Sequence, residues 1–180
     1  INWTTTKMPS ATWGAITYGN GKFVATKGSN TNVIAYSLDG ITWFTSTLPV
    51  TTYWGAVAYG NGKFVVVAGS AGTVSAYSVD GINWTQSSIP SGGWVSVAYG
   101  NGVFVAITSQ GVSSYSFDGI AWISGASLSG GAWNYITYGN GKFVVSNNVS
   151  STTKCSNIYL SDVINIPYVS QTYVKVKDTE

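Results

Sequence analysis

A six-residue sequence that occurs four times limits the folds open to this chain more than any other feature. The copies read YGNGKF at residues 18–23, 59–64 and 138–143, and YGNGVF at residues 99–104. A tryptophan stands at the same distance before each copy: Trp13, Trp54, Trp94 and Trp133. Since the copies recur at a nearly constant spacing, the chain is an array of structural repeats of about 40 residues.

Each repeat has the pattern of four short strands joined by tight turns. In the first repeat the predicted strands are WGAITYG, KFVAT, NVIAYS and ITWFTST, within residues 13–47. An Asn-Gly pair at residues 20–21 separates the first two strands, and an Asp-Gly pair at residues 39–40 separates the last two. Such pairs favour hairpin turns because they tolerate positive φ. No segment shows helical periodicity.

Four short strands, repeated four times, predict an all-β, four-bladed β-propeller with about 40 residues per blade. The predicted propeller covers residues 1–162, and residues 163–180 form a separate C-terminal tail. The predicted blades are residues 10–50, 51–91 and 92–128, and residues 129–162 together with residues 1–8.

The first residues resemble the fourth strand of a blade, which predicts how the ring closes. INWTTTKMP at residues 1–9 matches INWTQSSIP at residues 82–90, whereas no tryptophan follows Asp162 in the last repeat. Trp3 would supply it, so that the eight tryptophans of the chain give two to each blade. We therefore expect residues 1–8 to close the last blade and remove the open sheet edge. The alternative, that the chain is part of a larger propeller, remains open.

A second repeated motif carries a resemblance to a known family. It reads YSLDGITW, YSVDGINW and YSFDGIAW at residues 36–43, 77–84 and 115–122. The motif resembles the Asp-box, or BNR repeat, with one residue fewer between Asp and Gly. That resemblance implies that Ser and Asp hold the turn by hydrogen bonds and that Trp packs into the blade, in a structural role.

The two motifs together are similar to repeats of bacteriophage tail and fibre proteins and of some bacterial surface proteins. The resemblance covers nearly the whole chain and implies a virion, extracellular or cell-surface location. It does not select one function, because propellers support many.

The residue types present argue against catalysis. Sialidases with Asp-box repeats grip a carboxylate with arginines, but this chain contains neither Arg nor His. Four of the six acidic residues occupy the repeated turn and two lie in the tail: Asp39, Asp80, Asp118, Asp162, Asp178 and Glu180. No carboxylate pair, Ser–His pair or zinc ligand set remains. We expect no enzyme activity, no cofactor and no metal.

Charge and hydropathy make two further partners improbable. Charged residues are 8% of the chain and the net charge is +2, without the basic cluster that nucleic-acid binding requires. No apolar run approaches the roughly 18 residues of a membrane span. We therefore expect neither nucleic-acid binding nor membrane insertion. The single Cys155 does not indicate a redox compartment.

Candidate binding residues lie on the face of the disc that varies between repeats. Loops between second and third strands, and connections between blades, share that face, and loops on a rigid scaffold commonly carry recognition. Aromatic rings beside amides and hydroxyls suit a neutral sugar. The candidates are Tyr53, Trp54, Tyr135, Trp133, Trp94, Trp13, Asn30 and Asn147. Core packing of these aromatics is the competing interpretation.

Two functional hypotheses follow from the sequence. In the first, the protein is a non-catalytic module that binds cell-envelope carbohydrate. In the second, it is a virion assembly protein that contacts other protein subunits. Residues 168–177 alternate apolar and polar, as an edge strand does. This predicts either a homo-oligomer formed through the tail or a strand that lies on its own propeller.

Overall fold

The computed structural model describes residues 1–3, 5–129, 131–147 and 156–158. Its strands form four antiparallel sheets, three of four strands and one of three. The prediction of an all-β, four-bladed β-propeller is confirmed. Across these residues, no helix has the length and apolar character needed to cross a membrane.

Each sheet is one blade, and its strands pair in chain order. Blade 1 contains β1 (Trp13–Gly19), β2 (Lys22–Lys27), β3 (Thr31–Ser37) and β4 (Phe44–Thr52). Blade 2 contains β5 (Trp54–Gly60), β6 (Lys63–Ala68), β7 (Gly72–Ser78) and β8 (Thr85–Gly92). Blade 3 contains β9 (Trp94–Gly100), β10 (Val103–Thr108), β11 (Val112–Ser116) and β12 (Ile123–Ser127). Blade 4 contains β13 (Trp133–Gly139), β14 (Lys142–Asn147) and β15 (Ser156–Ile158).

The Asn-Gly turns have the predicted conformation. In the first hairpin φ is 46° at Asn20 and 70° at Gly21, as a type I′ turn requires. The same pair of positive φ values recurs at Asn61, Asn101 and Asn140 with their following glycines. These turns set the register in which each first strand pairs with its second.

The fourth strands of blades 1 and 2 begin later and end later than predicted. Strand β4 begins after Trp43, which stays in the turn, and continues through the segment predicted to be a connection. Strand β8 does the same, so that Gly93 alone separates it from β9. Pro49 and Pro90 lie inside these strands, which is compatible with an edge position because an edge strand leaves some N–H groups unpaired.

The core lies between blades. The first strands of consecutive blades pack on one another, β1 on β5, β5 on β9 and β9 on β13. Three apolar clusters fill these interfaces. Phe64, Phe104 and Phe143 are fully buried, each on the preceding blade. The interfaces are therefore three repeats of one packing arrangement.

The predicted closure by residues 1–8 is not observed. Residues 1–3 and 5–8 form no strand, and Trp3 is 92% exposed. Among the described residues, blade 4 does not pack on blade 1 as the other consecutive blades pack on one another, so the interface that this closure needs is not formed. Asp162 and the tail, residues 163–180, lie outside the described residues.

Candidate binding surface

The Asn-Gly and Asp-Gly turns share one face of the propeller, here called the turn face. Asn20 Nδ2 donates to the Val79 carbonyl oxygen of the next blade at 3.3 Å. Asn61 Nδ2 donates to the Phe117 carbonyl oxygen at 3.1 Å. Each Asn-Gly turn of these two blades is thus tied to the Asp-Gly turn of the blade after it. Lys22 Nζ adds a hydrogen bond to the Asp80 carbonyl oxygen at 2.6 Å.

The Asp-Gly turns are held by their own serine and aspartate side chains. In the first, Ser37 Oγ donates to Asp39 Oδ1 at 2.9 Å and accepts from the Gly40 N–H at 2.9 Å. Asp39 Oδ1 also accepts from the N–H groups of Ile41 at 2.8 Å and Thr42 at 2.7 Å. The equivalent bonds form around Asp80 and Asp118. These contacts are what the sequence resemblance implied for the turn.

These hydrogen bonds keep the carboxylates ionised. The N–H groups of Thr42 and Ile41 and the Ser37 hydroxyl lower the pKa of Asp39 from 3.8 to about 2. At Asp80 burial raises the pKa, but hydrogen bonds from Asn83 and Ile82 outweigh it and the net shift is downward. The pKa of Asp118 is lowered in the same way. A carboxylate in this state is poorly suited to donate a proton.

The opposite face, here called the loop face, carries the variable segments. The Gly28 N–H donates to the Thr12 carbonyl oxygen at 2.7 Å. In the next blade the Gly69 N–H donates to the Tyr53 carbonyl oxygen, also at 2.7 Å. Each bond joins the loop after a second strand to the connection that enters the same blade. In these two blades the hydrogen bonds therefore hold the loop and the connection together next to the repeated tryptophan.

The repeated tryptophans are mainly core residues. Trp54, Trp94 and Trp133 are fully buried between blades, and Trp13 is half-buried. Their ring faces are therefore not an exposed stacking platform, and core packing is the better interpretation. The indole N–H of Trp13 donates to the Pro9 carbonyl oxygen at 3.0 Å. That of Trp94 donates to the Pro90 carbonyl oxygen at 3.2 Å.

Trp54 differs because its connection contains one more residue. Trp13 and Trp94 each follow a proline by four positions, whereas Trp54 follows Pro49 by five. Its buried Nε1 has no hydrogen-bond partner. The added residue leaves Tyr53 on the surface, 40% exposed, with its ring against Gly69. Asn30 is also exposed on this face, in the loop of blade 1.

Tyr135 is exposed and lies on the opposite side of β13 from Trp133. A bulge in the pairing of β13 with β14 shifts the register between these two residues. Trp133 and Ile136 consequently pack toward blade 3, while Tyr135 is 72% exposed on the other side of the sheet. The structure thus separates two candidates that the sequence had grouped.

The structure brings together two other candidates, Trp133 and Asn147. They are paired residues at the loop-face end of β13 and β14. Trp133 Nε1 is a buried donor without a partner, and Asn147 Oδ1 is a buried acceptor without a partner. No sequence pattern marks this property, because the hydrogen-bond partners of a side chain depend on the three-dimensional packing around it.

A metal site is not built into the described part of the propeller. No three His, Cys, Asp or Glu side chains there lie close enough to hold an ion. The three aspartates occupy separate blades and are bonded within their own turns.

Comparison with known proteins supports the fold. No protein-family model matches the chain, and no curated protein matches it. The chain resembles solved β-propeller structures. One is virginiamycin B lyase from Staphylococcus aureus, at 13% identity and a TM-score of 0.62 over 87% of this chain and 57% of the lyase.

Two other structures are similar. YCF48 bound to D1 peptide has 16% identity and a TM-score of 0.58, over 82% of this chain and 55% of that one. The computationally designed Ika4 protein has 12% identity and a TM-score of 0.59, over 86% of this chain and 96% of that one. The chain thus spans little more than half of the two natural proteins. At such identities the shared property is the fold.

Proposed function

We propose that this protein is a non-catalytic binding module for a neutral polar ligand of the carbohydrate class, displayed on a virion or a cell surface. The observation that supports the proposal is that two paired residues each hold a buried polar atom without a partner, the donor Trp133 Nε1 and the acceptor Asn147 Oδ1. The surface location rests on the similarity of the repeats to those of phage and bacterial surface proteins.

The two unpartnered atoms favour a hydroxylated ligand. A buried polar group without a partner is costly, and native proteins leave few of them. A sugar hydroxyl both donates and accepts, so hydroxyls of one ligand can satisfy both an indole N–H and an amide oxygen. Neither atom is charged, and charged residues are 8% of the chain. A neutral sugar therefore matches this site better than an anionic ligand.

Other loop-face residues can widen the contact. Tyr53 is partly exposed in blade 2, and Asn30 is exposed in blade 1. These are separate weak contacts on different blades. Binding to a repetitive envelope polysaccharide would combine such contacts through multivalency.

Binding without catalysis is favoured by the state of the carboxylates. Asp39, Asp80 and Asp118 each accept backbone N–H bonds within a turn. Glycoside hydrolysis needs two carboxyl groups on either side of one bond. The three carboxylates lie in separate turns on the turn face, whereas the protein atoms proposed to bind the ligand lie on the loop face.

Assembly with protein subunits is a second candidate function. It is favoured by apolar side chains that are exposed on blade 1, Ile16 and Tyr18, at positions that are packed in other blades. A virion component that docks on neighbours would present such a surface. This function and sugar binding use different parts of the molecule.

A glycan-array screen tests the proposed function. The purified chain is compared with Trp133→Phe, which removes the indole donor and keeps an aromatic ring, and with Asn147→Leu, which removes the acceptor. We expect each variant to weaken binding to the recognised sugar about tenfold, the effect of one lost hydrogen bond of roughly 1.4 kcal/mol.

Trp54→Phe is the matched control. It removes another buried, unpartnered indole N–H, but one with no unpartnered acceptor on a paired residue. Binding should be unchanged in this variant. If the folded wild-type chain binds no bacterial or host glycan, or if the control loses as much affinity as Trp133→Phe, the proposal is wrong.

A further inference from the structure

The interface between blades is built three times from the same contact. The ring of Tyr59 covers Gly19, that of Tyr99 covers Gly60, and that of Tyr138 covers Gly100, so closely that a Cβ at any of these glycines would overlap the ring. A buried valine, a phenylalanine and a tryptophan complete each interface. Each blade therefore offers a glycine side to the next blade and a tyrosine side to the preceding one.

Blade 1 presents a tyrosine side on which none of the described strands of blade 4 packs. Ile16 and Tyr18 are each 58% exposed. Their counterparts Val57 and Val97 are buried in the interfaces of blades 2 and 3. Phe23 is half-buried, although Phe64 in the next blade is fully buried. This surface is apolar and has the composition of the packed interfaces.

Blade 4 presents the complementary glycine side. Nothing lies within 4 Å of a Cβ built on Gly139. Thr137 and Tyr135 on the same side of the sheet are exposed, where Ala58 and Ala56 are buried in blade 2. Strands β13 and β1 do not pack on one another, so the two open sides belong to opposite ends of the row of blades.

We infer that blade 4 of this chain docks on blade 1 of a second copy, with Tyr18 of the second copy over Gly139. The two open sides are the two halves of an interface that the chain already forms three times. The turn face adds a matching contact, because Asn140 takes the place of Asn20 and Asn61 and meets the Leu38 carbonyl of the second copy. Tyr135 adds a larger ring where the internal interfaces hold Ala or Ser.

A second copy fits better than closure within one chain. Among the described residues β13 and β1 are not packed together, so closing the ring within one chain would require the blades to shift at their internal interfaces. At each of those interfaces a tyrosine ring packs directly on a glycine and leaves no room for a side chain there. Closely packed contacts of this kind resist such shifts. Two copies docked head to tail at both ends give a closed two-fold ring, the arrangement that satisfies every open side.

A cysteine pair distinguishes the two arrangements. Tyr18→Cys and Gly139→Cys are combined with Cys155→Ser, and the protein is oxidised and analysed on a non-reducing gel. The inference predicts a disulfide between chains and a dimer band. A disulfide within one chain, seen as a fast-migrating monomer, would show that the propeller closes on itself and would overturn the inference.

Light scattering coupled to size exclusion measures the assembly without cross-linking. The wild-type chain should elute with the mass of two copies. Gly139→Leu fills the site of the incoming tyrosine at a position where an added Cβ has nothing within 4 Å, and should raise the dimer dissociation constant at least tenfold. Gly131→Leu is the matched control, since Gly131 also has nothing within 4 Å, and it should remain dimeric. A monomeric wild type, or a dimer that Gly139→Leu leaves intact, would contradict the inference.

Discussion

At the scale of single residues, the fold depends on where a side chain is absent as much as on where one is present. Gly19, Gly60 and Gly100 leave room for a tyrosine of the next blade. None of the three has positive φ, so their requirement for glycine is a matter of space and not of backbone conformation. The Asn-Gly turns show the converse, because Gly62 has nothing near it but has φ of 71°.

Gly60→Ala should destabilise the protein by about 1–3 kcal/mol, because the new methyl group overlaps the Tyr99 ring and forces the blades apart. Chemical denaturation measures the change in the free energy of unfolding. Gly131→Ala, at an open position, is the control and should change it by less than about 1 kcal/mol. Equal effects of the two substitutions would show that the interface is loosely packed.

The carboxylates of the Asp-Gly turns predict an acid-labile fold. Since the pKa of Asp39 is about 2 in the folded chain against an ordinary 3.8, the unfolded chain binds more protons between these values, and stability falls as the pH drops through that window. Thermal unfolding followed by circular dichroism from pH 5 to 2 measures this. Asp39→Asn keeps an acceptor oxygen and should flatten the dependence; an unchanged slope in this variant would contradict the assignment.

At the scale of strands and turns, local sequence determines the structure closely. Asn101 has φ of 49° and begins the turn of blade 3. Asn101→Ala should cost about 1 kcal/mol, because alanine is strained in the left-handed region. Asn101→Gly, which adopts this conformation freely, should lie close to wild type. Denaturation midpoints of the two variants test the point, and equal losses would mean that the asparagine side chain matters more than its backbone.

The hairpins were predictable from the sequence because each depends on two adjacent residues. The outer strands were predicted less well, since Pro49 and Pro90 indicate a connection by composition but lie within edge strands. The binding candidates depended on burial and register. Neither the bulge that separates Tyr135 from Trp133 nor the unpartnered Asn147 Oδ1 could be read from residue types alone.

At the scale of the whole molecule, the buried apolar clusters lie between blades, and the equivalent side chains of blade 1 are partly exposed. The number of blades followed from the repeat, but whether the ends meet depends on small rotations summed over several interfaces, which no short motif encodes. The N-terminal segment illustrates this: its sequence matches a fourth strand, but its described residues, 1–3 and 5–8, form no strand.

Two matched phenylalanines test this distribution of stability. Phe104→Ala opens a cavity in the interface between blades 2 and 3 and should cost about 3–5 kcal/mol. Phe23→Ala, at the equivalent position in blade 1, removes a half-buried ring and should cost less than half as much in the monomer. The free energy of unfolding, measured below the concentration at which the chain self-associates, compares them. If the two substitutions lower the free energy of unfolding equally, the Phe23 side of blade 1 is packed against another part of the protein even in the monomer.

The tyrosine-on-glycine interfaces also determine how the molecule responds to force. They are arranged in series along the chain, so tension applied to the two ends would load the outermost blade first. Each blade would detach as a unit of about 40 residues, and the extension trace would show a few similar steps in place of one rupture. A protein that tethers two particles could thereby lengthen under load while its remaining blades stay folded.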